Sequence, residues 1–565
     1  MRNQCKGARY FCAAGVVLTI GSCSDESVSP ERDSDIWFSE EAAARGLSYS
    51  HVSGATGEFE LPEITGGGVA LLDVENDGDI DVYFIQSGFL HRKQPDSRRN
   101  ELHLNNGDGT FQKSERSDDH ANSEYGMGVA TGDYDNDGDV DIYVTNLGAN
   151  ALLQNDGSGS FFDVTQHAGV GDDSWGTAAS FADFDRDGFL DLYVANYLHW
   201  DPSTALDCYA TNVQTYCVPL HNYAAMDRVF RNNGDGTFSD LSLKAGLASA
   251  FGNGLGVVSV DINNDGWVDV FVANDSMVNQ LWLNNGDFTF TNDAWYWGSA
   301  MDDHGIEKAG MGVATFDFDS DADFDVLVVN IEEQTDSFFR NEGSYFTDAT
   351  GVVKLGSHSR RYTRFGLIAS DLDNDSCVDL YQANGSVYHD EEDLAKPDFF
   401  QELNTLYRGT CEGQFELVLP EGGTQNPIER TSRGLASGDL DGDGDQDLVI
   451  VNKDATVSLL MNVRQAGKIM GSVRLRILNQ FGRDAYNARV SAKVGERVLT
   501  HRVQTDGSYL SAHDPHVHFG TANAKEISDV VVTWLDGQSE SFGSFQVNTV
   551  HTLKQGTGYS RERDI

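Results

Sequence analysis

A nine-residue acidic loop recurs seven times in this chain, and any fold it adopts has to present all seven copies. The fullest copy reads Asp133-Tyr-Asp-Asn-Asp-Gly-Asp-Val-Asp141 and passes directly into the β-formers Ile142-Tyr-Val-Thr-Asn146. Carboxylates at alternate positions of a short loop converge on a hard cation through oxygen, and glycine at position 6 permits the sharp turn that brings them together. Without a cation such a group repels itself strongly.

At positions 1, 3, 5, 7 and 9 the first copy carries Asp73, Glu75, Asp77, Asp79 and Asp81, and the second Asp133, Asp135, Asp137, Asp139 and Asp141. The third has Asp183, Asp185, Asp187, Phe189 and Asp191, and the fourth Asp261, Asn263, Asp265, Trp267 and Asp269. The fifth has Asp317, Asp319, Asp321, Asp323 and Asp325, and the sixth Asp371, Asp373, Asp375, Cys377 and Asp379. The seventh has Asp439, Asp441, Asp443, Asp445 and Asp447. About a third of the chain's 89 acids sit in these loops. Position 7 varies freely, as expected where a backbone carbonyl is the ligand. Position 12 of the second copy is Val144, inside a predicted strand, so the loop is not an EF-hand, which needs Glu there and flanking helices. An all-oxygen donor set points to Ca²⁺ or Mg²⁺, and the flexibility of a seven-ligand loop to Ca²⁺, with up to seven ions per chain. Ala322 and Ser376 replace the position-6 glycine in the fifth and sixth copies, where the turn is costlier.

Each loop follows a small, glycine-rich strand such as Gly126-Met127-Gly128-Val129 and precedes an apolar one such as Asp269-Val-Phe-Val-Ala-Asn274. A third strand ends in an Asn-Gly or Asp-Gly turn, as in Leu104-Asn-Asn-Gly-Asp-Gly-Thr-Phe111, and a fourth begins at the aromatic. Four short strands per unit of roughly 50 residues predict an all-β fold, a seven-bladed β-propeller. The seventh unit lacks its fourth strand, and Phe38 to Leu47 resembles the fourth-strand tail Phe162 to Val170. The N-terminal strand is therefore expected to close the last blade and hide a sheet edge. Residues 36–462 form this unit, with one large aromatic insertion at 198–226. From about Val463 the acidic loops stop and basic residues appear. Alternating strands such as Ser472-Val-Arg-Leu-Arg-Ile477 predict a small C-terminal all-β domain over 463–565.

A net charge of −50 argues against nucleic acid and against an anionic membrane surface. Arg2, Lys6 and Arg9 precede an apolar stretch, Tyr10 to Ile20, too short to span a bilayer. Residues 1–22 therefore read as an export signal. Ile20-Gly21-Ser22-Cys23 resembles a bacterial lipobox, which would make Cys23 the lipidated first residue and the only membrane attachment. Residues 23–35 are a polar tether. The expected location is the outer membrane as a lipoprotein, the periplasm or the exterior. Export makes a disulfide between Cys208 and Cys217 plausible. Cys377 with Cys411 is the remaining pair.

The loops and the glycine-rich strands before them resemble FG-GAP repeats, the calcium-binding blades also found in integrin α-chains. Gly507-Ser-Tyr-Leu-Ser511, His518-Phe-Gly520 and Trp534-Leu-Asp-Gly537 resemble the ASPIC/UnbV domain. With Tyr216-Cys217-x-Pro219 in the insertion, this order resembles the cartilage acidic protein family in its bacterial form. Thr521 and Val218 depart from the family's usual Leu and Gly. The resemblance implies an extracellular calcium-binding protein whose biochemical activity is largely unassigned.

The leading expectation is a non-enzymatic surface protein for adhesion or recognition, with an unknown protein or glycan partner. One alternative is an extracellular enzyme using His199 and His221 of the insertion or His513, His516 and His518. His516 and His518 share one face of a strand and could share a metal, although exposed histidines near a loop are the plainer reading. The other alternative is a glycan-binding module built on the insertion.

Overall fold

The computed structural model describes residues 36–91, 99–115, 124–210, 212–389, 393, 396–464 and 470–561. The export signal, Cys23 and the tether lie outside the described residues. Every acidic loop joins the first to the second strand of a four-stranded antiparallel sheet. These sheets are numbered one to seven here, after their loops. Sheet one is typical, with strands Val69–Leu72, Asp81–Phe84, Glu101–Asn105 and Phe111–Lys113. In sheet seven the fourth strand comes from the other end of the chain. Phe38–Glu40 lies antiparallel to Ser458–Asn462, with Phe38 opposite Asn462. The architecture is all-β and propeller-like.

Burial explains the sequence pattern. Second strands such as Asp141–Leu147 lie between neighbouring sheets and bury both faces, so they read as continuous apolar runs. First strands crowd one another. Each lies against the first strand of the next sheet, and the seventh against the first. A Cβ on Gly128 would fall on the Thr177 carbonyl oxygen, and one on Gly256 on the Met311 carbonyl oxygen. Glycine is required there for close approach.

The C-terminal strands form a three-stranded sheet (Val517–Gly520, Ser472–Leu478, Thr549–Lys554) and a five-stranded one (Arg497–Arg502, Arg489–Val494, Glu526–Thr533, Ser539–Gln546, Tyr559–Arg561). Their apolar core runs on into sheets two and three, with Val490, Val532 and Phe519 in one cluster with Tyr143, Phe181 and Leu190.

Between Arg502 and Val517 the chain leaves these sheets and bonds to the first strand of every one of the seven. Asp506 Oδ2 accepts from Ser180 Oγ of sheet three (2.8 Å) and Ser259 N of sheet four (2.7 Å). Ser508 exchanges backbone bonds with Val313 of sheet five, its Oγ accepts from Leu367 N of sheet six (3.0 Å), and its hydroxyl donates to Leu435 O of sheet seven (2.8 Å). Leu71 N of sheet one donates to Ala512 O (3.0 Å), and Val129 N of sheet two to Leu510 O (3.1 Å).

Candidate metal centre

One hydrogen-bond scheme holds the loops in shape. In the second loop the position-1 carboxylate accepts from the backbone of positions 5 and 6: Asp137 N to Asp133 Oδ1 at 3.1 Å, Gly138 N to Asp133 Oδ2 at 2.9 Å. Asp141, at position 9, accepts from Tyr134 N (3.2 Å) and Asn155 N (2.9 Å). The same pairs recur in the sixth loop, where Ser376 N replaces the glycine N–H on Asp371 Oδ2 at 2.7 Å. Ala322 and Ser376 take φ of 72° and 73°, the left-handed conformation that glycine adopts in the other copies. Position 4 is left-handed too, at Asn76, Asn136, Arg186, Asn264, Ser320 and Asn374. The Asn preference there was a readable signal that the sequence reasoning passed over.

These bonds leave the remaining carboxylate lone pairs facing one another. Ligand atoms of Asp133, Asp135 and Asp141 lie within 4.8 Å of one another, as do those of Asp183, Asp185 and Asp191. Asp141, Asp191, Asp269 and Asp379 are fully buried. Burial, reinforced by neighbouring carboxylates, pushes Asp133 and Asp317 up to about 7 and lifts Asp141 well above the ordinary carboxylate range. Asp441 Oδ1 is buried without a hydrogen-bond partner. A convergent, oxygen-only, electrostatically frustrated donor set fits a hard divalent cation.

The variable position-7 side chains turn away from this focus towards the next hairpin. A Cβ on Gly234 would meet the Phe189 ring and one on Gly286 the Trp267 ring. In sheet six a Cys377–Cys411 disulfide makes this contact covalent, with Cα atoms 5.4 Å apart. Phe189, Trp267 and Cys377 are thus placed to offer only backbone to a metal.

Two further sets of residues support the loops, and sequence reasoning missed both. The first is an asparagine at the end of the third strand. Asn155 Nδ2 reaches Val74 O of the preceding sheet's loop at 2.9 Å. Asn105, Asn232, Asn284, Asn341 and Asn462 do the same for their neighbours, Asn105 bonding Leu440 O of sheet seven at 2.8 Å. Sheet six has Gly409 instead, whose N–H still reaches Asp379 Oδ1 at 2.7 Å. The Leu-Asn-Asn-Gly motif carries this signal, but it also reads as a plain hairpin turn.

The second set is five arginines from the C-terminal strands. Arg474 Nη2 lies 2.9 Å from Asp439 Oδ2, and Arg476 Nη1 3.8 Å from Asp73 Oδ2. Arg483 donates to Asn136 Oδ1 (2.8 Å) and Gly188 O (3.1 Å), Arg489 to Ala322 O (3.0 Å), and Arg497 to Ser376 O (2.6 Å) and Ser320 Oγ (3.2 Å). The basic C-terminal part therefore covers the acidic-loop side.

The insertion pairs Leu198–His199 with Tyr223–Ala224 and Cys208–Ala210 with Val213–Thr215, and Cys208 is joined to Cys217. His199 and His221 are exposed and line a cavity of about 470 Å³ with Trp200, Tyr223, Glu60 and His91. His513, His516 and His518 belong elsewhere, beside the C-terminal strands. The expectation that they are surface histidines is corrected for His518, which is only 9% exposed, because the edge strand Val517–Gly520 is buried along its length and packs against the sixth loop.

Tandem acidic loops on four-stranded sheets, capped by a basic β domain, define an FG-GAP-repeat protein with a C-terminal ASPIC/UnbV domain. The chain matches the FG-GAP-like repeat at 73–144, 133–194, 207–272 and 261–328, and the ASPIC and UnbV family at 479–560. In the order of these two parts it is similar to the cartilage acidic proteins. It is 28% identical over 356 residues to cartilage acidic protein 1 of Xenopus tropicalis, covering 60% of this chain and 51% of that protein. Against the Homo sapiens protein it is 26% identical over 334 residues, covering 58% and 47%. The chain spans about half the length of these curated relatives. Among solved structures, a lectin from Burkholderia pseudomallei aligns at 9% identity and TM-score 0.42, covering 71% of this chain and 96% of that one. An Agrocybe aegerita lectin aligns at 16% identity and TM-score 0.36, covering 69% and 86%. Likeness at this level carries no argument about ligands.

Proposed function

We propose that this chain is an exported, calcium-loaded recognition protein: a closed seven-bladed propeller over residues 36–462 with its C-terminal domain, 463–565, docked on the calcium side. The reading rests above all on the convergent buried carboxylates of the acidic loops. Closure is supported by the axial segment, since residues 506–512 can bond to seven first strands only if those strands surround them. Calcium holds each loop as a staple within its blade, and the ions are structural. The C-terminal domain occupies the loop side, which leaves the insertion and its cavity as the recognition surface for a protein or glycan outside the cell. Trp200 and Tyr223 beside Glu60 would suit a sugar, with stacking from the rings and hydroxyl recognition from the carboxylate. Residues 1–22 direct export and Cys23 anchors the tether. The chain takes no nucleic acid.

Equilibrium dialysis against radioactive calcium tests the metal reading, with close to seven ions per chain expected and one or none contradicting it. A glycan array and an envelope pull-down, each run with the full chain and with residues 199–225 deleted, test the surface. Binding that survives the deletion unchanged would rule the insertion out. A catalytic role has one observation behind it, the pairing of His91 with Glu60 at 2.5 Å in the same cavity.

A further inference from the structure

A second polar cavity, of about 110 Å³, lies between the first strands of sheets five to seven and the C-terminal strands. Four of the chain's 15 histidines line it, His501, His513, His516 and His518, together with Gln504 and Asp514. Its hydrogen bonds leave acceptors without donors. His518 Nε2 faces Asn374 Oδ1 at 2.8 Å, and the Asn374 amide nitrogen donates to Asp445 Oδ1, so the oxygen is the atom presented to the ring. Nε2 therefore carries the proton and Nδ1 keeps its lone pair. That Nδ1 is buried and unpartnered. Asp514 is 8% exposed, and its Oδ1 accepts from His516 N (3.0 Å) and pairs with His516 Nδ1 (2.6 Å). This fixes the proton of His516 on Nδ1 and leaves Nε2 free. Asp514 Oδ2 and Gln504 Oε1 are also buried without partners. His513 differs, since its Nδ1 already accepts from Ser437 N at 3.4 Å.

We propose that this cavity binds one divalent transition-metal ion, through imidazole nitrogens of His516, His518 and His501, with Asp514 orienting the His516 ring, separately from the acidic loops. Imidazole-rich donor sets select zinc-like ions over calcium. The Asp514–His516 pair has the carboxylate–histidine arrangement that orients a metal-bound ring. The cavity leaves room for the ion and a few waters.

The test uses the full chain in excess calcium, so that the acidic loops are filled, with Zn²⁺ as the probe. One zinc per chain should be retained through gel filtration. His516→Ala and His501→Ala should each weaken retention by at least ~10-fold, while a substitution of the exposed His167, His167→Ala, leaves it unchanged. His518 is left intact, because it touches the sixth loop. Zinc K-edge absorption of the unaltered chain, which needs no variant to fold, should show imidazole scattering. An oxygen-only shell, zinc displaced by calcium, or equal retention by the unaltered chain and both variants would each overturn the assignment.

Discussion

Asn232 joins three things at once. Its backbone N–H satisfies Asp191 Oδ1 at 2.8 Å, its amide nitrogen bonds Leu190 O and, across the joint, Tyr134 O, and its Oδ1 accepts from Gly234 N at 2.9 Å. The loop carboxylate, the hairpin turn and the neighbouring sheet are therefore held by one side chain. Asn232→Ala should cost roughly 2–3 kcal/mol, because it strands buried backbone acceptors as well as losing bonds. Urea unfolding in saturating calcium measures this, and a loss below about 0.5 kcal/mol would show the joint to be unimportant. At this scale the sequence was legible where chemistry is local. The glycine of position 6 announces its turn, and Ala322 and Ser376 take the same φ despite their side chains. The second role of Asn232 was not legible, because its partner Tyr134 lies 98 residues away.

The elements show the same divide. Strand order, the position of the insertion and the contribution of Phe38–Glu40 to the last sheet follow from pattern and count. The path of residues 506–512 does not. Gly507-Ser-Tyr-Leu-Ser511 resembles a domain signature in sequence, and nothing in its local pattern says that it leaves its own domain. Tyr509 is fully buried there, donates to Thr65 O at 2.8 Å and packs edge-on against Phe365. Because this segment touches every sheet, the C-terminal domain should not unfold separately. Tyr509→Ala is expected to destabilise the whole chain by about 3–5 kcal/mol, the usual range for removing a buried aromatic, within a single transition. Two separated transitions, in the variant or in the unaltered chain, would mean that the axial segment does not couple the parts.

For the molecule as a whole, the dominant fact is charge. A chain of net charge −50 gathers about a third of its acids into seven loops and then lays its own arginines across them. Arg483, Arg489 and Arg497 bond loop carbonyls and side chains from outside, while Arg474 and Arg476 approach the position-1 carboxylates Asp439 and Asp73 themselves. The number of foci was legible from sequence, but the docking of the basic domain on them was not, because complementarity between distant parts has no local pattern. If calcium holds the foci, stability must follow calcium. At tenfold excess over its dissociation constant each site contributes about 1.4 kcal/mol, so seven sites contribute on the order of 10 kcal/mol. The most direct test is thermal unfolding of the full chain in millimolar calcium and in excess EGTA. The melting temperature should fall on chelation by on the order of 10 °C or more and return when calcium is restored. An unchanged melt would contradict calcium as a condition of the fold.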